Sequence, residues 1–229
     1  MIRDIDAVAF DIDGTLYPNL ALYLRLIPFF MHNRRLMSEF GQVRREIRRW
    51  QHEHPQEVHQ DFMLWQAQLL SRRLGCTAKE AGALLDERIY KGWIPVFESI
   101  SLYPGVRETF AAFRAASLKI GILSDFLPSQ KGELWGLPFF CDVVLGSEET
   151  GAVKPSIIPF RVLAERLGCE ASRILYVGNS PRSDIDGARK AGMKSALITG
   201  PFGTFFLPKD LRPDISFRSY RQLTANVLK

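Results

Sequence analysis

Asp11-Ile12-Asp13-Gly14-Thr15-Leu16 follows directly on the apolar run Ala7-Val8-Ala9-Phe10. Two carboxylates two residues apart suit two jobs, one as nucleophile or metal ligand and the other as carrier of protons. Gly14 lets the chain turn sharply just past them. An Asp-x-Asp-Gly stretch also serves simply as a turn, so its surroundings must decide. Residues 7–10 are too short for a helix and are stopped by an Asp/Gly cluster, which predicts a buried strand. The pair then sits at the carboxyl end of a strand, where open α/β sheets bind their ligands.

Three further groups fall at equivalent places. Ser124 and Asp125 close the run Ile120-Gly121-Ile122-Leu123, and Lys154-Pro155 follows Val143-Val144-Leu145. Gly178-Asn179-Ser180-Pro181-Arg182-Ser183-Asp184 closes Ile174-Leu175-Tyr176-Val177. A carboxylate nucleophile, a hydroxyl donor, a lysine and further acidic or amide groups are the parts that phosphoryl transfer needs. Its transition state spreads negative charge over oxygens that donors and cations must hold.

The elements that position these groups alternate strand and helix. Runs at 119–124, 142–145, 173–177 and 195–198 read as strands, with helices expected over 104–117, 157–167 and 181–191. Pro104 suits a first helical position, and Gly168 and Gly192 suit helix stops. This order predicts an α/β fold, a Rossmann-like parallel sheet with right-handed crossovers. Residues 18–102 differ: they carry helical periodicity and no convincing strand. Val58, Phe62, Trp65 and Leu69 fall on one helical face, and Thr77-Ala78-Lys79-Glu80 is a capping box after Gly75. A helical insertion is expected there, leaving 1–17 and 103–229 as the core.

Composition bounds the rest. At 229 residues, with 46% hydrophobic and 24% charged, the chain has ample material for a core and an inserted domain. No apolar stretch is long enough to span a bilayer, and acidic Asp4 and Asp6 before the first strand argue against a signal peptide. Cys76, Cys141 and Cys169 are widely spaced, which predicts free thiols in a cytoplasmic protein. The net charge of +5 is concentrated between Arg25 and Arg49, where seven arginines face Glu39 and Glu46. A solvated helix face is the preferred reading of that run, and a surface attracting an anionic substrate is the other. Nucleic-acid binding is disfavoured, because no recognised module accompanies the arginines. Glu148 and Asp186 read as loop and helix-surface charges.

The four motifs, in this order at these strand ends, resemble the haloacid dehalogenase-like hydrolase superfamily. The likeness is to its phosphatases with a helical cap inserted after the first motif. The resemblance implies that Asp11 forms an aspartyl-phosphate and that Asp13 protonates the leaving oxygen and then activates water. It implies that Ser124 hydrogen-bonds a phosphoryl oxygen, that Lys154 neutralises the crowded charge, and that Thr15 and Asp125 adjoin the substrate. It also implies a Mg²⁺ cofactor, with Asp11, the backbone carbonyl of Asp13, Asn179 and Asp184 as the expected metal set. One departure stands out: the family usually has Gly-Asp where this chain has Gly178-Asn179. An amide keeps a carbonyl oxygen for the cation and removes one negative charge. The expected substrate is a small phosphorylated metabolite. A phosphosugar mutase would carry the same motifs, and a non-catalytic binding protein on this fold would be expected to lose Asp11 or Lys154.

Overall fold

A computed structural model describes residues 2, 4–200, 203–205 and 207–228. Its frame is a parallel sheet of six strands in the order β3-β2-β1-β4-β5-β6. These are β1 (Ala7–Phe10), β2 (Lys119–Ser124), β3 (Val143–Gly146), β4 (Ile174–Gly178), β5 (Lys194–Ile198) and β6 (Ile215–Phe217). All four residues of β1 are fully buried, as expected of a central parallel strand covered on both faces. Phe10 pairs with Ile122 on one side and Val177 on the other. From β1 the chain builds outward one way to β3 and then returns to build the other way. The carboxyl end of β1 is therefore the point where strand order reverses.

Alternation along β1 supplies both faces. Val8 and Phe10 point into one core, where Phe10 stacks on Phe110 at 4.5 Å. Phe110 belongs to α6 (Val106–Ala115), packed beside α9 (Tyr220–Leu228), which adds Tyr220 and Leu223. Ala7 and Ala9 face the other core, filled by Phe160, Leu163 and Leu167 of α7 (Ile157–Leu167) and Ala188 of α8 (Asp186–Lys190). Each such side chain contributes about 1.5–3 kcal/mol when fully buried.

Between β1 and α6 the regular elements are all helical: α1 (Asn19–His32), α2 (Arg34–Glu53), α3 (Phe62–Leu74), α4 (Ala78–Leu84), continued by a wide helical turn over Leu85–Tyr90, and α5 (Ile94–Glu98). The Thr77/Glu80 capping box opens α4, and Gly75 ends α3 in the left-handed conformation. The insert's entry and exit are tied together where the Tyr103 N–H donates to the Leu16 carbonyl at 2.8 Å. Among the described residues no helix is long and apolar enough to cross a membrane.

Several local expectations are corrected. Val58 lies outside α3 and is exposed, since Asp61 caps that helix through the Leu64 N–H. Pro104 precedes α6 rather than starting it, because Gly105 at φ 87° forms the N-cap. The helix expected over 181–191 is two pieces: a wide turn over Pro181–Ile185, with the Ile185 N–H reaching the Ser180 carbonyl, then α8. Strand β6 was not expected.

Candidate active site

Backbone pairing carries one bond past β1, where the Asp11 N–H donates to the Val177 carbonyl at 2.9 Å. This fixes Asp11 at the sheet edge with its side chain buried. Thr15 donates to its Oδ2 at 2.7 Å and Lys154 to its Oδ1 at 2.7 Å. The same ammonium reaches Asp184 Oδ1 at 2.7 Å, Tyr176 Oη at 3.1 Å and the Leu123 carbonyl at 3.4 Å. One buried cation thus serves two buried carboxylates.

The charge balance follows. Burial pushes the Asp11 carboxyl up to about 7; Asp184 and Asp13 add to that rise and Lys154 opposes it. Burial alone would depress the Lys154 ammonium, but Asp11 and Asp184 outweigh it and hold its pKa well above the ordinary lysine value. Asp184 is placed by the absence of a side chain at Gly178. A Cβ there would meet the Asp184 Cβ at 2.3 Å. The carboxylate folds back so that its Oδ2 accepts from the Asn179 N–H at 3.1 Å and the Ser180 N–H at 2.9 Å.

Asp13 is held separately. Tyr17 donates its hydroxyl to Oδ1, and the Lys131 ammonium stands 3.0 Å from Oδ2. Burial, with the Asp13 charge beside it, raises the Tyr17 phenol, which stays protonated as a donor. Between the two aspartates Gly14 turns at φ 83°. The Asn179 and Asn19 amide nitrogens lie 2.1 and 2.3 Å from where its Cβ would stand, so only glycine fits. Asp125 anchors the opposite wall: Arg48 pairs with its Oδ2 at 2.8 Å, and its Oδ1 accepts the Lys154 backbone N–H at 3.2 Å. Burial would raise that carboxyl, yet Arg48, Lys154 and Arg44 together hold it below the usual range.

These groups open on one cleft of about 230 Å³, lined by Asp11, Asp13, Asp125, Lys154, Asn179 and Asp184 from the core and by Asn19 and Tyr23 from α1. Thr15 and Ser124 are fully buried behind it and do not line it; the Ser124 Oγ accepts from the Phe126 N–H at 3.3 Å. Asp186 is a helix-surface charge as expected, paired with Lys190 and Arg189.

Magnesium requires hard oxygen donors. The Asp11 carboxylate and the Asn179 side-chain carbonyl offer them on one cleft, and the donor chemistry fits the ion. Asp184 lines the same cleft with its Oδ1 on Lys154 and its Oδ2 on two backbone N–H groups, which suits it to orient the Lys154 ammonium. Among the described residues no three His, Cys, Asp or Glu side chains form a ready-made metal cluster.

Three residues of weight here escaped the sequence reading. Glu148, expected as a loop charge, is buried and accepts from Arg44 and from Tyr90 at 2.9 Å. Arg44 is correspondingly no solvated helix charge: it is buried, bonds Gln66 Oε1 at 3.0 Å and lies 4.7 Å from the Phe126 ring centre. Five of the seven arginines in that run are exposed as expected, and Arg48 turns to the cleft. Lys131 had no sequence signal, sitting in a loop after Pro128 with its partner Asp13 far away in the chain.

A parallel sheet with a buried carboxylate at its switch point, a buried lysine and a helical insert beside the site agree with a known family. The chain belongs to the haloacid dehalogenase-like hydrolases, whose family model matches residues 5–192. It is similar to ribulose-1,5-bisphosphate 5-phosphatase of Halopiger xanaduensis, with 30% identity over 84% of each chain. It also resembles phosphoglycolate phosphatase of Salmonella typhi, with 25% identity over 97% of this chain and 92% of that one. Among solved structures it resembles the L-2-haloacid dehalogenase RSc1362, with a TM-score of 0.67 and 20% identity over 99% of this chain and 100% of that one. Within the family the chain is a phosphatase.

Proposed function

We propose that this protein is a Mg²⁺-dependent hydrolase of small phosphate monoesters that works through an aspartyl-phosphate on Asp11. The observation that carries this reading is the buried Asp11 held against Lys154 with Asp13 lining the same cleft. An Asp11 carboxylate oxygen attacks phosphorus, the ester P–O bond breaks, and the leaving oxygen takes its proton from Asp13. Water then attacks the aspartyl-phosphate and gives a proton to Asp13, and the bond to Asp11 breaks to release phosphate. Lys154 counters the charge that gathers as anionic substrate meets carboxylate.

Bound Mg²⁺ would offset the repulsion between nucleophile and substrate, held by Asp11, the Asp13 backbone carbonyl and Asn179, with Asp184 acting through Lys154. Thr15 would keep Asp11 in place, and Ser124, buried behind the cleft, would hold the Phe126 N–H at its wall instead of touching a phosphoryl oxygen. Residues 18–102 would act as the cap, with Asn19 and Tyr23 facing the leaving group and Asp125 anchoring the cap through Arg48. A cleft of about 230 Å³ suits a small metabolite. The free thiols Cys76, Cys141 and Cys169 suit a reducing compartment such as the cytoplasm. Asp13 favours phosphoryl transfer over dehalogenation, which needs no group to protonate a leaving alkoxide.

The test is phosphate release from a panel of monoesters with Mg²⁺. Asp11→Asn should fold and show no turnover, and excess chelator should silence the unmutated protein. Full activity in either case would sink the assignment.

A further inference from the structure

Lys131 is an expensive residue to bury. It is 2% exposed, and its ammonium stands 3.9 Å from the ring centre of Phe97 and 5.4 Å from that of Phe126. An apolar side chain would fill this aromatic box without the desolvation cost of a charge. What the ammonium gains is specific: Asp13 Oδ2 at 3.0 Å and Gln130 Oε1 at 3.1 Å. Gln130 is itself 1% exposed and donates to the Ile89 carbonyl of the helical insert at 3.3 Å. On the other side of Asp13, the fully buried Tyr17 donates to Oδ1, its ring packed 5.5 Å from that of Trp135 and 6.3 Å from that of Phe97.

Each carboxylate oxygen of Asp13 therefore has one buried donor. Two donors on two oxygens fix both the position and the plane of the carboxylate, and each oxygen keeps a lone pair for a proton. Neither Lys131 nor Tyr17 lines the cleft, whereas Asp13 does. Any influence they have on a substrate must pass through Asp13.

We propose that Lys131, with Tyr17, is a positioning residue that aims the Asp13 carboxyl at the leaving-group oxygen. This inference rests on the reading of Asp13 as the acid and base of the reaction. Loss of aim costs most where the leaving group needs its proton most, and small misplacements of a reacting group are expensive. The aromatic box ties this aim to the insert, since Phe97 comes from α5 and Gln130 reaches Ile89.

The experiment compares an alkyl phosphate, a poor leaving group, with p-nitrophenyl phosphate, a good one, across Lys131→Met, Tyr17→Phe, Asp13→Asn and the two double variants. Methionine fills the box at similar volume, and phenylalanine differs from tyrosine by one hydroxyl. Lys131→Met should lower kcat on the alkyl phosphate about 10–100-fold, with KM unchanged and a much smaller effect on p-nitrophenyl phosphate. Tyr17→Phe should act in the same direction and more weakly; it carries the test alone if Lys131→Met does not fold. In the Asp13→Asn background neither substitution should cost anything further, because the group they aim is gone. A purely structural role predicts equal losses on both substrates and the same loss in both backgrounds, and that result would overturn the proposal. Leaving-group-dependent slowing by Asp13→Asn without it in Lys131→Met and Tyr17→Phe would overturn this inference alone. Equal slowing of both substrates by Asp13→Asn would bring down the acid and base reading, and this inference with it.

Discussion

Two buried cations mark two regions of the molecule, and they are balanced differently. In the core, Lys154 is shared by Asp11 and Asp184, two buried carboxylates on one ammonium. At the seam between core and insert, Arg44 meets one carboxylate, Glu148, and is otherwise surrounded by Gln66 and the rings of Phe40, Phe62 and Phe126. One guanidinium nitrogen there, Nη2, has no hydrogen-bond partner among the described residues. In the first arrangement burial and the neighbouring carboxylates lift the Asp11 carboxyl. The second is neutral and self-contained, and it joins two parts of the chain that lie 104 residues apart. Chemistry needs an imbalance that a seam between domains does not.

Removing each cation should separate the two roles. Lys154→Met should cost the most, about 10²–10³-fold in kcat, the range for losing one preorganised charge or donor at a phosphoryl or acyl site. Phosphate-release assays on folded protein measure it, and a loss below tenfold would contradict a charge-neutralising role. Arg44→Met should act on stability first, by about 3–5 kcal/mol, because Glu148 is left charged and buried. Adding Glu148→Leu should recover most of that loss in urea melts. If the double variant were no better than the single one, the seam would not be a neutral pair.

Asp11→Asn tests the lifted carboxyl directly. The folded protein protonates Asp11 near pH 7, whereas an unfolded chain protonates it near 3.8. Between those values the folded state binds the extra proton, so stability falls as pH rises through this window. At pH 8 in excess chelator the asparagine variant should be about 2–4 kcal/mol more stable than the original protein, and the gap should close by pH 4. Equal melting curves at pH 8 would show that the cluster tolerates both charges. The smallest effect is expected from Asn179→Asp, which supplies one more anionic oxygen. It should lower the Mg²⁺ concentration for half-maximal activity several-fold, since cation affinity follows ligand charge. Superimposable metal titrations would remove Asn179 from the metal set.

The two regions also differ in how far the sequence reveals them. Residues 7–10, 119–124 and 157–167 form the expected strands and helix because continuous apolar runs and a clean helical face are local signals. Asp11, Asp13, Asp125, Lys154, Asn179 and Asp184 reach one cleft because each follows a strand end, and parallel strands deliver their ends to one edge. The seam leaves no such trace. Arg44 sits in a helix dense with exposed arginines, and Glu148 lies beside the exposed Glu149 in a loop. Only the fold sorts the buried members from the exposed ones. Strand β6 escaped because Ile215-Ser216-Phe217 is three residues long and follows Pro208 and Pro213, which read as loop. Lys131 escaped because its neighbours in space, Phe97 and Asp13, come from distant parts of the chain.

The backbone bond from Tyr103 to Leu16 closes the root of the insert and sets a rule for how this protein can be remodelled. The insert also meets the core where Arg44 pairs with Glu148, Arg48 with Asp125, and Gln130 with the Ile89 carbonyl, so the core senses more than that the two ends meet. Lengthening a closed loop is cheap, about 0.6 kcal/mol for each doubling, provided the added residues leave contacts such as Arg48 with Asp125 in place. Material between Leu16 and Tyr103 can be enlarged or trimmed on its outer side, whereas exchanging it whole would take Arg48 from Asp125 and Phe97 from Lys131. New selectivity can then arise by altering the outside of a part whose inner contacts stay the same.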